Sequence, residues 1–156
     1  MKKLIIIFTL ALFIGACGGA ADNENTEATN TETTKSTDVS DYDPNRGEGK
    51  FHDVQLSETL DQDMALRGEK VSDMKCLSCH KLSDERLVGP GWDGVTERNT
   101  PEWIMNFMTN TDEMIDKDPK AQAMLEICMV RMPNQNLTDE EARDILEFMR
   151  KNDGVK

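Results

Sequence analysis

Apolar residues are spread along this chain in three unlike ways. Leu4 to Ile14 form an unbroken apolar run behind Lys2 and Lys3. From Gly18 to about Lys50 the chain is mostly Thr, Asn, Glu, Asp, Gly and Ala with almost no large apolar residue, Val39 and Tyr42 being isolated exceptions. Such a stretch cannot offset the entropy lost on folding, and it predicts a disordered segment. From Phe51 onward apolar residues return at helical spacing. A first helix is predicted from Ser57 to Lys75, with Leu60, Met64, Leu66, Val71 and Met74 as its apolar stripe. A second begins at Thr100 as N-cap with Pro101 in the first helical position, and carries Trp103, Ile104, Phe107 and Met108. Asp118-Pro119 repeats that cap-plus-proline signal for a third helix running to about Val130, ahead of Pro133. Thr138 and Glu141 form a capping box for a fourth, with Ala142, Ile145, Leu146 and Met149 on one face. No stretch alternates as a strand, so the expected fold class is a small all-α domain.

The N-terminal run is too short to span a bilayer, which takes about 20 apolar residues. With its basic start it reads as an export signal. Ile14-Gly15-Ala16-Cys17 resembles the bacterial lipobox, which implies that Cys17 becomes the lipidated first residue of the mature chain. A plain cleavable signal with an incidental cysteine, or an uncleaved anchor, are the alternatives. Several acyl chains on one residue would give a stable anchor where one chain is marginal. The expected organisation is residues 1–16 signal peptide, 17–50 lipidated acidic linker and 51–156 folded domain. The expected location is the extracytoplasmic face of a bacterial envelope, periplasm-facing in a Gram-negative cell. A linker of this length reaches roughly 30 Å, which suits a tether.

Charge and composition then narrow the function. The 156 residues carry a formal charge of −12. Loss of Lys2 and Lys3 with the signal leaves 16 basic residues against 30 acidic ones, a formal charge of −14. Nucleic-acid binding needs a concentrated basic surface and is excluded on that ground. Hydrophobic residues make up 37% and aromatic ones 5%. With so few aromatic rings, something other than protein is expected to fill part of the core.

Cys76-Leu77-Ser78-Cys79-His80 is the c-type haem attachment pattern. Two thiols three positions apart can add across the two vinyl groups of one porphyrin edge, and the histidine that follows lies where it can ligate iron. A zinc site using Cys76, Cys79, His80 and Cys128, a dithiol redox pair and a structural disulfide are the competing readings. The surroundings extend the pattern: residues 62–151 resemble a class I monohaem cytochrome c. Gly68 lies eight residues before Cys76, where the family crosses its first and last helices closely, and Phe148 stands where the family places an aromatic at that crossing. Leu87-Val88-Gly89-Pro90 resembles the loop whose proline carbonyl accepts the other ring N–H of the haem histidine, here His80. Met132-Pro133, ahead of Leu137-Thr138, resembles the segment carrying the sixth ligand. Ser72 departs from the family, which often has an aromatic there. The resemblance implies one haem c held through Cys76 and Cys79, iron ligated by His80 and Met132, and haem-propionate contacts from Trp92, Arg98 and Trp103. Met129 and His52 are the alternative ligands.

Histidine on one side and a thioether on the other leave iron no open position, so the expectation is an electron carrier and not an enzyme. The expected partners are redox proteins such as a quinol-oxidising complex and a terminal oxidase or reductase, met by a monomer held at the membrane through Cys17. A haem subunit of a larger complex, or a haem-based sensor or enzyme with a displaceable methionine, are the other readings. Arg67, Lys70, Lys75, Lys81, Arg86 and Arg131 are expected to form a less acidic rim that steers docking. Cys128 is expected to be a small buried hydrophobe, or, if exposed, the site of an intermolecular disulfide.

Overall fold

The structure, a computed structural model, describes residues 42–156. Among these there is no strand, and the helices are α1 (Gln62–Lys75), α2 (Val95–Arg98), α3 (Pro101–Thr109), α4 (Thr111–Lys117), α5 (Pro119–Cys128) and α6 (Asp139–Asn152). The signal peptide, Cys17 and the linker up to residue 41 lie outside the described residues.

The cap signals place their helices. Thr100 accepts from the N–H of Trp103 ahead of α3, and Asp118 accepts from that of Ala121 ahead of α5. Thr138 and Glu141 satisfy each other's backbone N–H groups at the start of α6. α1 begins later than expected, because Asp61 caps it by accepting from the N–H of Met64. α5 stops at Cys128, where Met129 takes a left-handed conformation (φ 56°). Neither α2 nor α4 was expected. α2 has four residues and starts from Gly94 without a side-chain cap. α4 follows directly on α3 through Asn110, which ends one helix and begins the next.

The first and last helices cross on small residues, which corrects the expected stripe on α1. Ala65, Gly68 and Ser72 are its buried face, while Leu66 and Met74 are exposed. A Cβ on Gly68 would sit 2.0 Å from the carbonyl oxygen of Asp144 in α6. The backbones therefore touch, and Ser72 is fully buried on the same face. α6 buries charged groups together with Ile145, Leu146 and Phe148. Arg67 grips Asp144 with two hydrogen bonds of 2.7 and 2.8 Å. Glu147 receives Arg143, Arg150 and the N–H of Asp61 at 2.6, 2.7 and 2.9 Å.

The boundary expected at residue 50 moves towards the N-terminus. The carbonyls of Arg46 and Phe51 both accept from the Asn106 amide, at 3.0 and 2.9 Å, and the N–H of Phe51 donates back to it at 2.9 Å. Asn110 reaches the carbonyl of Glu48 at 3.1 Å, and the hydroxyl of Tyr42 donates to Asp118. Gly47 is left-handed (φ 68°), and Met114 occupies the space a side chain there would need. Residues 42–50 thus lie against α3 and α4 as part of the folded unit. They are held by backbone groups on a buried asparagine, an arrangement with no apolar pattern to announce it.

Candidate haem site

The end of α1 turns the two thiols and the histidine into one place. Cys76 caps the helix, its N–H bonded to the carbonyl of Ser72 at 2.8 Å. The carbonyl of Cys76 then accepts from the N–H groups of both Cys79 and His80 at 3.0 Å, which folds the motif into a tight turn. The next loop is pinned under it: Val88 and Gly89 donate to the carbonyl of Cys79 at 3.1 and 2.9 Å. At Gly89 a Cβ would lie 2.4 Å from the imidazole of His80, so only glycine lets the ring sit there.

His80 Nδ1 lies 2.8 Å from the carbonyl oxygen of Pro90. A carbonyl only accepts, so the proton is on Nδ1 and Nε2 is left as the lone-pair nitrogen. Burial holds the imidazole below its ordinary pKa and outweighs the opposing effect of the Pro90 bond. Neutral imidazole with an anchored N–H is the state a metal ligand needs. Trp92 lies 5.5 Å from the His80 ring and meets Phe148 of α6 edge-on at 6.5 Å, linking the histidine to the helix crossing. Cys76 is buried, and that burial pushes its thiol up to about 11.

These groups open on a cavity of about 410 Å³, continued by a smaller one of about 90 Å³ that shares Cys79, His80 and Met132. Every residue expected at the haem is on the wall of the larger cavity: Cys76, Cys79, His80, Pro90, Trp92, Arg98, Trp103 and Met132. Met132 is half-buried in the irregular segment between α5 and α6. Met129 is 84% exposed and His52 is exposed, and neither lines either cavity. The indole N–H of Trp103 is committed to Asp118 at 2.9 Å while its ring stacks on Phe107, so it has no donor left for a propionate.

The donor set and walls fit a haem. Two free thiols, a neutral imidazole and a thioether converge on a mostly apolar space, among them the soft sulfur and nitrogen ligands that haem iron takes. Asn99 Oδ1 is buried on the same wall with no donor, so the occupant, or water it retains, has to bring one. Among the described residues no three His, Cys, Asp or Glu side chains converge on a metal position, and Cys76, Cys79 and Cys128 are all free thiols. Cys128 is half-buried on the edge of the smaller cavity.

The family model for cytochrome c matches residues 65–153. This chain belongs to the cytochrome c family. A solved cytochrome c from Rhodothermus marinus is 36% identical with a TM-score of 0.65, the match covering 67% of this chain and 90% of that one. An engineered form of that cytochrome is 35% identical with a TM-score of 0.65, and another, bound to a carbene intermediate, is 35% identical with a TM-score of 0.62; both matches have the same coverage. A comparison with curated proteins returns no match. The cytochrome c domain carries one haem c, covalently bound through Cys76 and Cys79, and its family transfers electrons.

Residues that sequence reasoning missed also face the haem cavity, notably Phe107, Met124 and Lys120. Phe107 and Met124 look like ordinary helix-core positions. Lys120 did leave a trace: a cation in the first turn of a helix opposes the helix dipole.

The surface around the cavity differs from the basic rim expected of it. Arg67 pairs with Asp144, Lys75 with Glu141, Lys81 with Glu85, and Arg131 with both Asp112 and Asp116. Lys70 and Arg86 are exposed and form no ion pair among the described residues. Leu87, Val88, Ile127 and Val130 are exposed as well, and Arg86 ties its loop to the end of α5 by donating to the carbonyl of Ile127.

Proposed function

We propose that this cytochrome c is a membrane-tethered carrier that moves single electrons between respiratory-chain components, with His80 and Met132 as the residues that would ligate its iron. The observation that carries the reading is that an anchored neutral His80 and a half-buried Met132 line, with Cys76 and Cys79, the wall of one cavity of about 410 Å³. The haem supplies a reversible ferric–ferrous couple. The protein's own residues do the rest. Pro90 and Gly89 hold the histidine ring in one orientation, and Met132 offers a soft sulfur that favours the reduced state and raises the potential. Neither ligand has to leave on a change of oxidation state, so little reorganisation accompanies the electron.

Tethering rests on Cys17 and the acidic linker. No helix among the described residues is long and apolar enough to cross a membrane. The anchor in this reading is the lipid on Cys17. The partner in this reading is a redox protein that meets the apolar strip of Leu87, Val88, Ile127 and Val130. That strip borders the smaller cavity through Val88 and Val130, and of the cations near it Lys81 and Arg131 are paired within the chain while Arg86 is bonded only to the carbonyl of Ile127.

The test is an optical spectrum of the full chain matured in a bacterial envelope, together with its membrane fractionation. Thioether-bound low-spin haem with the weak methionine-to-ferric charge-transfer band is expected. Met132→Ala should abolish that band and lower the midpoint potential, and Cys17→Ala should release the protein from the membrane fraction. A band that survives in M132A refutes the ligand assignment, and a C17A protein that stays on the membrane refutes the lipid anchor.

A further inference from the structure

We propose that Lys120, acting with Arg98, is the cationic seat for the two carboxylates of the haem. The inference rests on the haem reading of the cavity and adds to it the residue that receives the charged edge of the porphyrin.

Both side chains are on the wall of the large cavity. Lys120 Nζ donates to the backbone carbonyl of Arg98 at 2.8 Å, and it stands 5.0 Å from the centre of the Trp103 ring. The Arg98 guanidinium is held in turn by the carbonyls of Gly91 and Asp93. Two cations are therefore fixed side by side by neutral backbone groups. Among the described residues neither forms an ion pair, although Lys81, Lys117, Arg131 and Arg150 all do. The carboxylate of Asp118, close in sequence, already accepts from Tyr42, Trp103 and the N–H of Ala121.

Lys120 is also placed against local preference. It is the second residue of α5, where the helix N-terminus favours negative charge. Burial and the neighbouring Arg98 charge both hold its ammonium below the ordinary lysine pKa, with Asp118 opposing. A cation kept where the helix and an adjacent cation both disfavour it marks a position selected for something outside the helix. The cavity it faces takes a cofactor with two carboxylates. Trp103, expected to serve them, has given its N–H to Asp118, and Lys120 lies over that same ring.

A cation beside an ionised carboxylate offsets the negative charge that would otherwise favour ferric iron. Lys120→Gln should therefore lower the midpoint potential of the holoprotein. The expected shift in the ferric-to-ferrous ratio at fixed electrode potential is on the order of tenfold, the scale of one unit charge acting through partly solvated protein. It should also move any carboxylate-linked step in the plot of potential against pH to higher pH. Lys120→Arg should keep both features, and Lys117→Gln, which removes a cation paired with Glu113, should change neither. Equal potentials in K120Q and wild type, or equal falls in K120Q and K117Q, would overturn the proposal. A measurement on the unmutated holoprotein stands independently. Nitrogen NMR of labelled lysine should show the Lys120 ammonium titrating above the ordinary lysine value, and a value at or below it would overturn the proposal. Absence of covalently bound haem from the wild-type chain would refute the underlying reading of the cavity instead, so the two failures are distinguishable.

Discussion

Gly68→Ala would place a methyl group where there is no room for one. The new Cβ would lie 2.0 Å from the Asp144 carbonyl oxygen, 2.4 Å from its carbon and 2.9 Å from the N of Ile145. All three are backbone atoms of α6, so no side chain can rotate away. Restoring an ordinary contact requires the helices to part by more than 1 Å, and a gap of that size forfeits about half of the dispersion energy across an interface. Overpacking of this kind costs about 1–3 kcal/mol, occasionally more. Here it acts on backbone in the contact that also positions Cys76 and Phe148, so the upper part of that range applies. Alanine's better helix propensity returns about 1 kcal/mol. The net expectation is a loss of about 2 kcal/mol, or roughly 8–16 °C in Tm for a domain of this size. Thermal and denaturant unfolding of the holoprotein measures it, with exposed Asp73→Ala on the same helix as control. A G68A protein as stable as wild type would refute the close crossing.

Other perturbations test the site and the buried charges. Gly89→Ala puts a methyl 2.4 Å from the His80 ring, so the Pro90–His80 hydrogen bond should break and the single low-spin spectrum should become a mixture. An unchanged spectrum would mean that the loop yields and Gly89 is dispensable. At Glu147 burial alone would raise the carboxyl, but the hydrogen bonds from the N–H of Asp61, Arg143 and Arg150 outweigh it and hold the pKa below the ordinary value. The stability this contributes is present above the unfolded carboxylate range of about 4.3 and is lost as pH falls towards the lower folded value. Glu147→Gln should cost about 3 kcal/mol at neutral pH and flatten the acid limb of the stability curve. Parallel acid limbs in E147Q and wild type would show that other carboxylates set it.

Much of this protein could be read from the order of its residues, because the signals that carried it are local. A cap followed by proline, a capping box and a pentapeptide of two thiols and a histidine act within one or two helical turns, so they placed α3, α5, α6 and the haem attachment before any packing was considered. Short elements left no such signal: α2 has four residues and no side-chain cap. In α1 the apolar count misled, since the helix buries Ala65, Gly68 and Ser72 and exposes Leu66 and Met74. Backbone contact at a helix crossing needs small residues, and that pattern does not register as hydrophobic.

What the sequence determined by itself was the chemistry: a c-type attachment motif, a histidine and methionine pair able to ligate, an acidic chain and helical segments to hold them. The tertiary structure alone decided which polar groups face one another across long separations. It brought residues 42–50 onto Asn106, gave the Trp103 N–H to Asp118, paired Arg67, Lys75, Lys81 and Arg131 of the expected basic rim within the chain, and left Lys120 and Arg98 side by side at the cavity. Hydrogen bonds and ion pairs are short-ranged and indifferent to sequence distance. Which donor finds which acceptor is fixed only when the helices have packed.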